Sequence, residues 1–211
     1  MDSDTPVDRP SPGEEYNPGP ATAPRQAATV ILLRGGADTL EVLLVRRTPE
    51  ARFMGGVWVF PGGAVDADDG GSGGAHRAAA IRELREEAGI LLEDAHTLVE
   101  FSRWITPAEV KIRFDTLFFL ASLPAGQEPR VDGEECVDLG WFTPRAALQA
   151  HRDGAIVLVF PTIKHLEQLA PFTSAEALLA YARDLLVEPV LPRVIVEGAG
   201  ARVLLPGEPG Y

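Results

Sequence analysis

Cysteine is nearly absent: Cys136 is the single thiol in 211 residues. One thiol excludes an internal disulfide and suits a reducing compartment; a small, partly buried role is expected for it. No apolar run approaches the about 20 residues that a membrane-spanning helix needs. The N-terminus also lacks the basic-then-apolar build of a secretory signal, so a cytoplasmic protein with no membrane partner is expected. Positive charge is scarce too. Nineteen Lys and Arg stand against 31 Asp and Glu, a formal net charge of −12, which argues against a nucleic-acid partner. An anionic small molecule stays open, because bound divalent cations reverse the local field. Histidines number four, and His76, His96, His151 and His165 match no nucleophile or metal triad; each reads as surface or packing. Trp58, Trp104 and Trp141 read as core fillers, with stacking on a base as the alternative.

What is present divides the chain at its start. Residues 1–25 are rich in Pro, acidic residues, Ser and Gly, carry no hydrophobic period and read as a disordered tail. Residues 26–211 suffice for one domain, with a helical extension from about residue 155. Ala28–Leu33 and Leu40–Val45, separated by Arg34-Gly35-Gly36-Ala37-Asp38, read as a hairpin. Phe53–Gly56 leads into a strand at Val57–Phe60, which runs into a Pro61-Gly62-Gly63 turn. Further strands are expected at Thr97–Phe101, at Ile112–Ala121 as the central one, and at Val137–Phe142, with a turn over Trp104–Pro107. Thr143 with Pro144 starts a helix to about His151, and Pro161–Leu169 carries a helical stripe. Thr173 and Glu176 have capping-box spacing. A Val194–Val196 strand, a Gly-rich turn and Val203–Pro206 close the chain.

The chemistry gathers in Arg82-Glu83-Leu84-Arg85-Glu86-Glu87-Ala88-Gly89-Ile90. At helical period, Ile81, Leu84 and Ala88 make an apolar stripe, while Glu83, Glu86 and Glu87 share a neighbouring face one turn long. Three carboxylates so close repel unless a cation sits among them, and hard oxygen ligands suit Mg²⁺ or Mn²⁺. A solvated charged face is the plainer reading of such a turn. Arg82 reaches Glu86 at i+4, and Gly89 ends a helix expected to start near Gly74.

With Phe60-Pro61-Gly62-Gly63 upstream, the chain resembles the Nudix hydrolases, whose signature is G-x5-E-x7-R-E-U-x-E-E-x-G-U with U aliphatic. Arg82 to Ile90 match its second half at every defined position, and Gly63 stands as its first glycine. Counted back from Arg82, the isolated Glu falls on Gly74 and is missing, because Gly63 to Arg82 is five residues too long. The excess lies in the acidic, Gly-rich stretch Asp66–Gly74, which reads as a tolerated insertion; an aspartate standing in for the Glu is the lesser reading. An EF-hand there fails, since Arg77 occupies the twelfth position where a Glu is required. Trp104–Pro107, Arg113–Thr116 and Phe160-Pro161-Thr162 are similar to the Nudix branch that includes peroxisomal-type coenzyme A diphosphatases.

The resemblance implies an α/β fold, a Nudix-type α/β/α sandwich with a mixed central sheet and an added C-terminal helical segment. It implies a metal-dependent hydrolase, a diphosphatase cleaving a nucleoside diphosphate conjugate such as CoA or an acyl-CoA. The implied metal ligands for Mg²⁺ or Mn²⁺ are the Gly62 carbonyl, Glu83, Glu86 and Glu87. Arg82 would orient Glu86, and the base would be a helix carboxylate or Glu135, ahead of Glu134, six residues before Trp141. Gly63 with Arg46 and Arg47 would contact substrate phosphates; edge charge is the other reading of that arginine pair. A homodimer is a possible assembly. The competing class is a catalytically weak nucleotide-binding module, favoured by the stretched first half of the signature.

Overall fold

The computed structural model of the protein describes residues 15–51, 54–70, 74–197 and 200–211. In chain order the strands are β1 (Arg25–Arg34), β2 (Glu41–Arg47), β3 (Trp58–Val59), β4 (Gly62–Ala64), β5 (Val99–Ile105), β6 (Phe114–Ser122), β7 (Cys136–Phe142), β8 (Pro189–Val190), β9 (Arg193–Glu197) and β10 (Gly200–Leu204). The helices are α1 (Ala75–Ala88), α2 (Pro144–Arg152), α3 (Phe160–Leu169) and α4 (Ala175–Arg183).

Alternation along β1 dictates the layers. Ala28, Val30 and Leu32 face one side, Ile31 and Leu33 the other, and all five are buried. A strand dry on both faces needs cover on both. Helix α1 supplies one cover through Ala79, Ala80, Leu84 and Ala88. Helices α2, α3 and α4 supply the other through Ala147, Ile163, Leu166, Leu169 and Leu178. The sheet between them runs β3-β2-β1-β6-β5-β8, with β4 added on β1 and β7 on β2. β1 lies parallel to β6 from Arg25↔Phe114 to Leu33↔Ser122, and antiparallel to β2 and β4. This is the expected α/β/α sandwich with a mixed sheet. β6 is flanked by β1 and β5, central as its composition predicted. β9 and β10 form a separate two-stranded sheet.

Several local expectations change. Pro61-Gly62-Gly63 is not a turn: Gly62 and Gly63 lie in β4, paired with Thr29 and Ala28. Trp104 and Ile105 continue β5, because they pair with Thr116 and Asp115 and Trp104 packs on the α3 side of the sheet. The cap of α4 is Ser174, whose hydroxyl accepts from the Ala177 N–H at 3.1 Å, so the Thr173–Glu176 box is one residue out. Of the stretch read as a tail, residues 15–24 lie against the 109–111 segment. There the Asn17 N–H donates to the Glu109 carbonyl at 2.7 Å and the Lys111 N–H to that of Glu15 at 2.9 Å. The expectations for residues 1–14, Phe53, residues 71–73 and the turn at 198–199 lie outside the described residues.

Among the described residues no helix is long and apolar enough to cross a membrane.

Candidate functional site

The phase of α1 positions everything else. Leu84 is fully buried, a contribution of about 2 kcal/mol that fixes which face of the helix meets the sheet. Gly89 closes the helix with φ 66°, its N–H donating to the Arg85 carbonyl at 2.9 Å. With that rotation set, Glu83 is directed at β4, Glu87 turns under the sheet edge, and Glu86 points outward with its side chain 57% exposed. A Cβ on Gly63 would overlap the Glu83 carboxylate, and one on Gly62 would overlap the Ala28 carbonyl. These two glycines therefore admit a carboxylate and a neighbouring strand; their backbone is brought against protein groups. Gly63→Ala should displace Glu83 and lower turnover by about tenfold or more, since small misplacements at a reacting centre are expensive. Steady-state kinetics beside an unchanged circular dichroism spectrum would check this.

Glu87 is 2% exposed. Burial pushes its carboxyl up to about 7, opposed by the Gly62 N–H at 2.9 Å and by Arg47, whose Nη1 lies 3.8 Å away; repulsion from Glu83 and Glu135 adds to the rise. Burial also raises Glu83; the Arg82 guanidinium opposes it, and Glu86 and Glu135 reinforce it. Glu135 is exposed, in the turn before β7, yet near enough for its charge to act on both inner carboxylates. Glu134 is exposed beside it.

Arg82 does more than orient Glu86. Its Nη1 donates to Glu83 at 2.7 Å and to Glu86 at 3.1 Å, and its Nη2 to the Ala64 carbonyl at 2.9 Å. Nε and Nη2 together grip Asp69, both at 2.9 Å. Asp69 is buried in a short 3₁₀ turn, Ala67–Asp69, and also accepts the Asp66 N–H at 2.7 Å. The Arg82 bonds hold its carboxyl below the usual range although burial opposes them, and Asp69 in turn raises the Arg82 guanidinium. For the first part of Asp66–Gly74 these contacts favour the lesser reading, an aspartate in place of the Glu, over a plain insertion. The missed signal was direction of counting: six residues forward from Gly63 is Asp69, so the extra length follows the acidic residue. Asp69→Ala should lower activity about tenfold, the usual lower bound for losing a group that orients a ligand. Asp69→Asn should fall between, in the same turnover assay.

The two arginines read as a pair are divided by strand alternation. Arg46 stands opposite Trp58 and Asp138 in register. Arg47, beyond a register shift, stands opposite Cys136 and reaches Glu87. Among the described residues, Arg47 Nε is the buried side-chain polar atom without a hydrogen-bond partner, the kind of orphan donor that a bound water or anion satisfies. Of this pair, Arg47 is therefore the one that adjoins a carboxylate of α1. Cys136 is wholly buried, and burial, then Glu87, push its thiol far up, so it is no nucleophile.

The structure brings Glu83, Glu87 and the Gly62–Gly63 backbone together and leaves Glu86 at the rim. Gly62 meets the cluster through its N–H. Among the described residues no three His, Cys, Asp or Glu groups converge into a ready-made metal cage; Glu83 and Glu86 turn onto Arg82 instead. The donor set still fits a divalent cation. Two oxygen ligands withdrawn from water and repelling each other are relieved by a hard cation, which Mg²⁺ or Mn²⁺ would be. Glu83 and Glu87, with Glu86 at the rim, would hold it.

The family model described as NUDIX domain matches residues 23–159. A Caenorhabditis elegans protein described as a nudix hydrolase is 30% identical over 182 aligned positions, covering 69% of this chain and 60% of that one. The human acyl-coenzyme A diphosphatase NUDT19 is 23% identical over 92% of this chain and 82% of its own, and its Xenopus laevis counterpart 25% identical over 63% and 60%. The chain thus spans about three-fifths of the worm and frog proteins. Among solved structures, a NUDIX hydrolase from Alicyclobacillus acidocaldarius superposes with a TM-score of 0.67 at 29% identity, over 75% of this chain and 96% of that one.

Proposed function

This chain belongs to the Nudix hydrolase family, and from that premise we propose that it is a metal-dependent diphosphatase acting on a nucleoside diphosphate conjugate, with CoA or an acyl-CoA as the preferred substrate. The observation that carries the chemistry is the pair of desolvated, mutually repelling carboxylates, Glu83 and Glu87, packed against Gly62–Gly63. The acyl-CoA preference rests on the similarity to the NUDT19 diphosphatases. Residues 26–211 act in this reading as one domain.

A bound Mg²⁺ or Mn²⁺ supplies charge neutralisation and a lowered pKa for water. The rest is the work of side chains. Glu83, Glu86 and Glu87 would hold the cation, and Arg82, anchored on Asp69, orients Glu83 and Glu86. Arg47 offers its unpartnered Nε to a phosphate oxygen, as guanidinium donors do well. Glu135, exposed in the turn joined to the end of β2 beside Arg47, would take the attacking water's proton. A second reading, a nucleotide-binding regulatory module, is favoured by the way Glu83 and Glu86 both turn onto Arg82.

The test is phosphate-bond hydrolysis over CoA esters, NADH, ADP-ribose, dinucleoside polyphosphates and nucleotide sugars, with Mg²⁺ or Mn²⁺ and with chelator. Cleavage of CoA esters that chelator abolishes is expected. No turnover, with one ligand still raising the melting temperature, would replace the enzyme by the binding module.

A further inference from the structure

The turn that carries Glu135 has an organiser of its own. Asp132 accepts three consecutive backbone N–H groups: Glu134 at 3.3 Å and Glu135 at 2.8 Å on Oδ2, and Cys136 at 2.8 Å on Oδ1. The Gly133 N–H closes the turn onto the Cys136 carbonyl at 2.9 Å, with Gly133 at φ 81°. On the other side, the Thr48 N–H donates to the Glu135 carbonyl at 2.8 Å, joining the turn to the end of β2 beside Arg47. Both flanks of Glu135 are therefore held through backbone, and Cys136 begins β7 in register with Arg47.

That fixation answers an electrostatic difficulty. Glu135 is exposed, and its charge bears on Glu83 and Glu87. An anion on a loose loop swings away from two others, and ordering such a loop costs conformational entropy. Asp132 offsets this with charge-assisted bonds to the backbone, each stronger than a neutral one. We propose that Asp132 is a positioning residue: by tying down the N–H groups of Glu134, Glu135 and Cys136 it holds Glu135 against the end of β2, next to Arg47 and the Glu87 that Arg47 meets. The inference rests on the diphosphatase reading, and on Glu135 as the proton acceptor within it.

A double-mutant cycle tests it, with kcat, KM and melting temperature measured for Asp132→Ala, Asp132→Asn, Glu135→Gln and the Asp132→Ala/Glu135→Gln double variant. The substrate is whichever diphosphate conjugate the wild-type protein cleaves. Asp132→Ala is expected to lower kcat about tenfold while KM stays within about twofold, the size seen when an orienting group is removed. Asp132→Asn should recover part of the loss, because its amide oxygen still accepts. In the Glu135→Gln background, Asp132→Ala should add nothing, as two residues acting through one step are not additive. An equal loss in both backgrounds makes Asp132 merely structural and overturns the inference, as does normal turnover in Asp132→Ala beside an impaired Glu135→Gln. Full activity in Glu135→Gln removes Glu135 from the reaction; the inference then falls while the diphosphatase stands. A wild-type protein that cleaves nothing in the panel overturns both.

Discussion

Glu86→Gln is expected to lower kcat about 1,000-fold, some 4 kcal/mol of transition-state stabilisation, the scale of losing one charged ligand of a catalytic cation. Folding should hardly notice. The Glu86 side chain is 57% exposed and its ion pair is with Arg82, at 3.1 Å; an exposed pair of this kind is worth about 0–1 kcal/mol. Arg82 keeps Asp69, Glu83 and the Ala64 carbonyl without it. That separation makes Glu86 a cleaner probe than Glu87, whose 2% exposure and bond to the Gly62 N–H tie activity to stability. Turnover by steady-state kinetics and melting by calorimetry would be read side by side. Normal turnover in a normally melting variant would take Glu86 out of the reaction.

A second large effect should appear as acid sensitivity of the fold, centred on His165. This residue is fully buried in α3, ringed by Phe60, Phe101, Trp104 and Phe118. Its Nδ1 meets the Pro161 carbonyl at 2.6 Å, which fixes the proton there, and its Nε2 meets the Ser102 hydroxyl at 2.6 Å, which donates to it. Burial lowers its pKa from 6.5 to about 4, against a small upward pull from Pro161. The folded protein thus keeps His165 neutral where the unfolded chain protonates it. Its contribution is complete above pH 6.5 and is lost as pH falls from 6.5 to about 4, a total of about 3 kcal/mol at 1.36 kcal/mol per unit. Glu87 acts the other way: its raised folded-state pKa adds stability as pH falls from about 7 toward its ordinary 4.5. The difference between wild type and His165→Gln isolates the histidine. Denaturant unfolding from pH 7 to 4 should show wild type losing stability faster, and parallel curves would contradict the assignment.

The helix carrying Glu83, Glu86 and Glu87 was legible in the chain because every cue was local. Leu84 and Ala88 at helical spacing, the charged face beside them and Gly89 at the end are decided within two turns, and the structure places α1 at Ala75–Ala88. The apolar run from Ala28 to Leu33 made a buried strand legible in the same way, while the sandwich around it was an implication of the family resemblance. Pairing across the sheet was not legible. Pro61-Gly62-Gly63 carries turn residues, yet it becomes β4 because β1 offers it an edge. Arg46 and Arg47 are adjacent letters that alternation sends to opposite faces, so one of the two reaches Glu87.

What the chain determined by itself was therefore the carboxylate-bearing helix, through periodicity and short spacing, and the resemblance to the family that implied the layered fold. What tertiary structure decided was the company each charge keeps. Asp69 clasps Arg82 across thirteen residues, and Glu87 lies under Gly62 across twenty-five. His165 bonds Ser102 across sixty-three. The physical reason is common to all three. Desolvation and charge pairing depend on distance in space, which at these separations chain spacing encodes only where a motif fixes it, as counting forward from Gly63 does for Asp69.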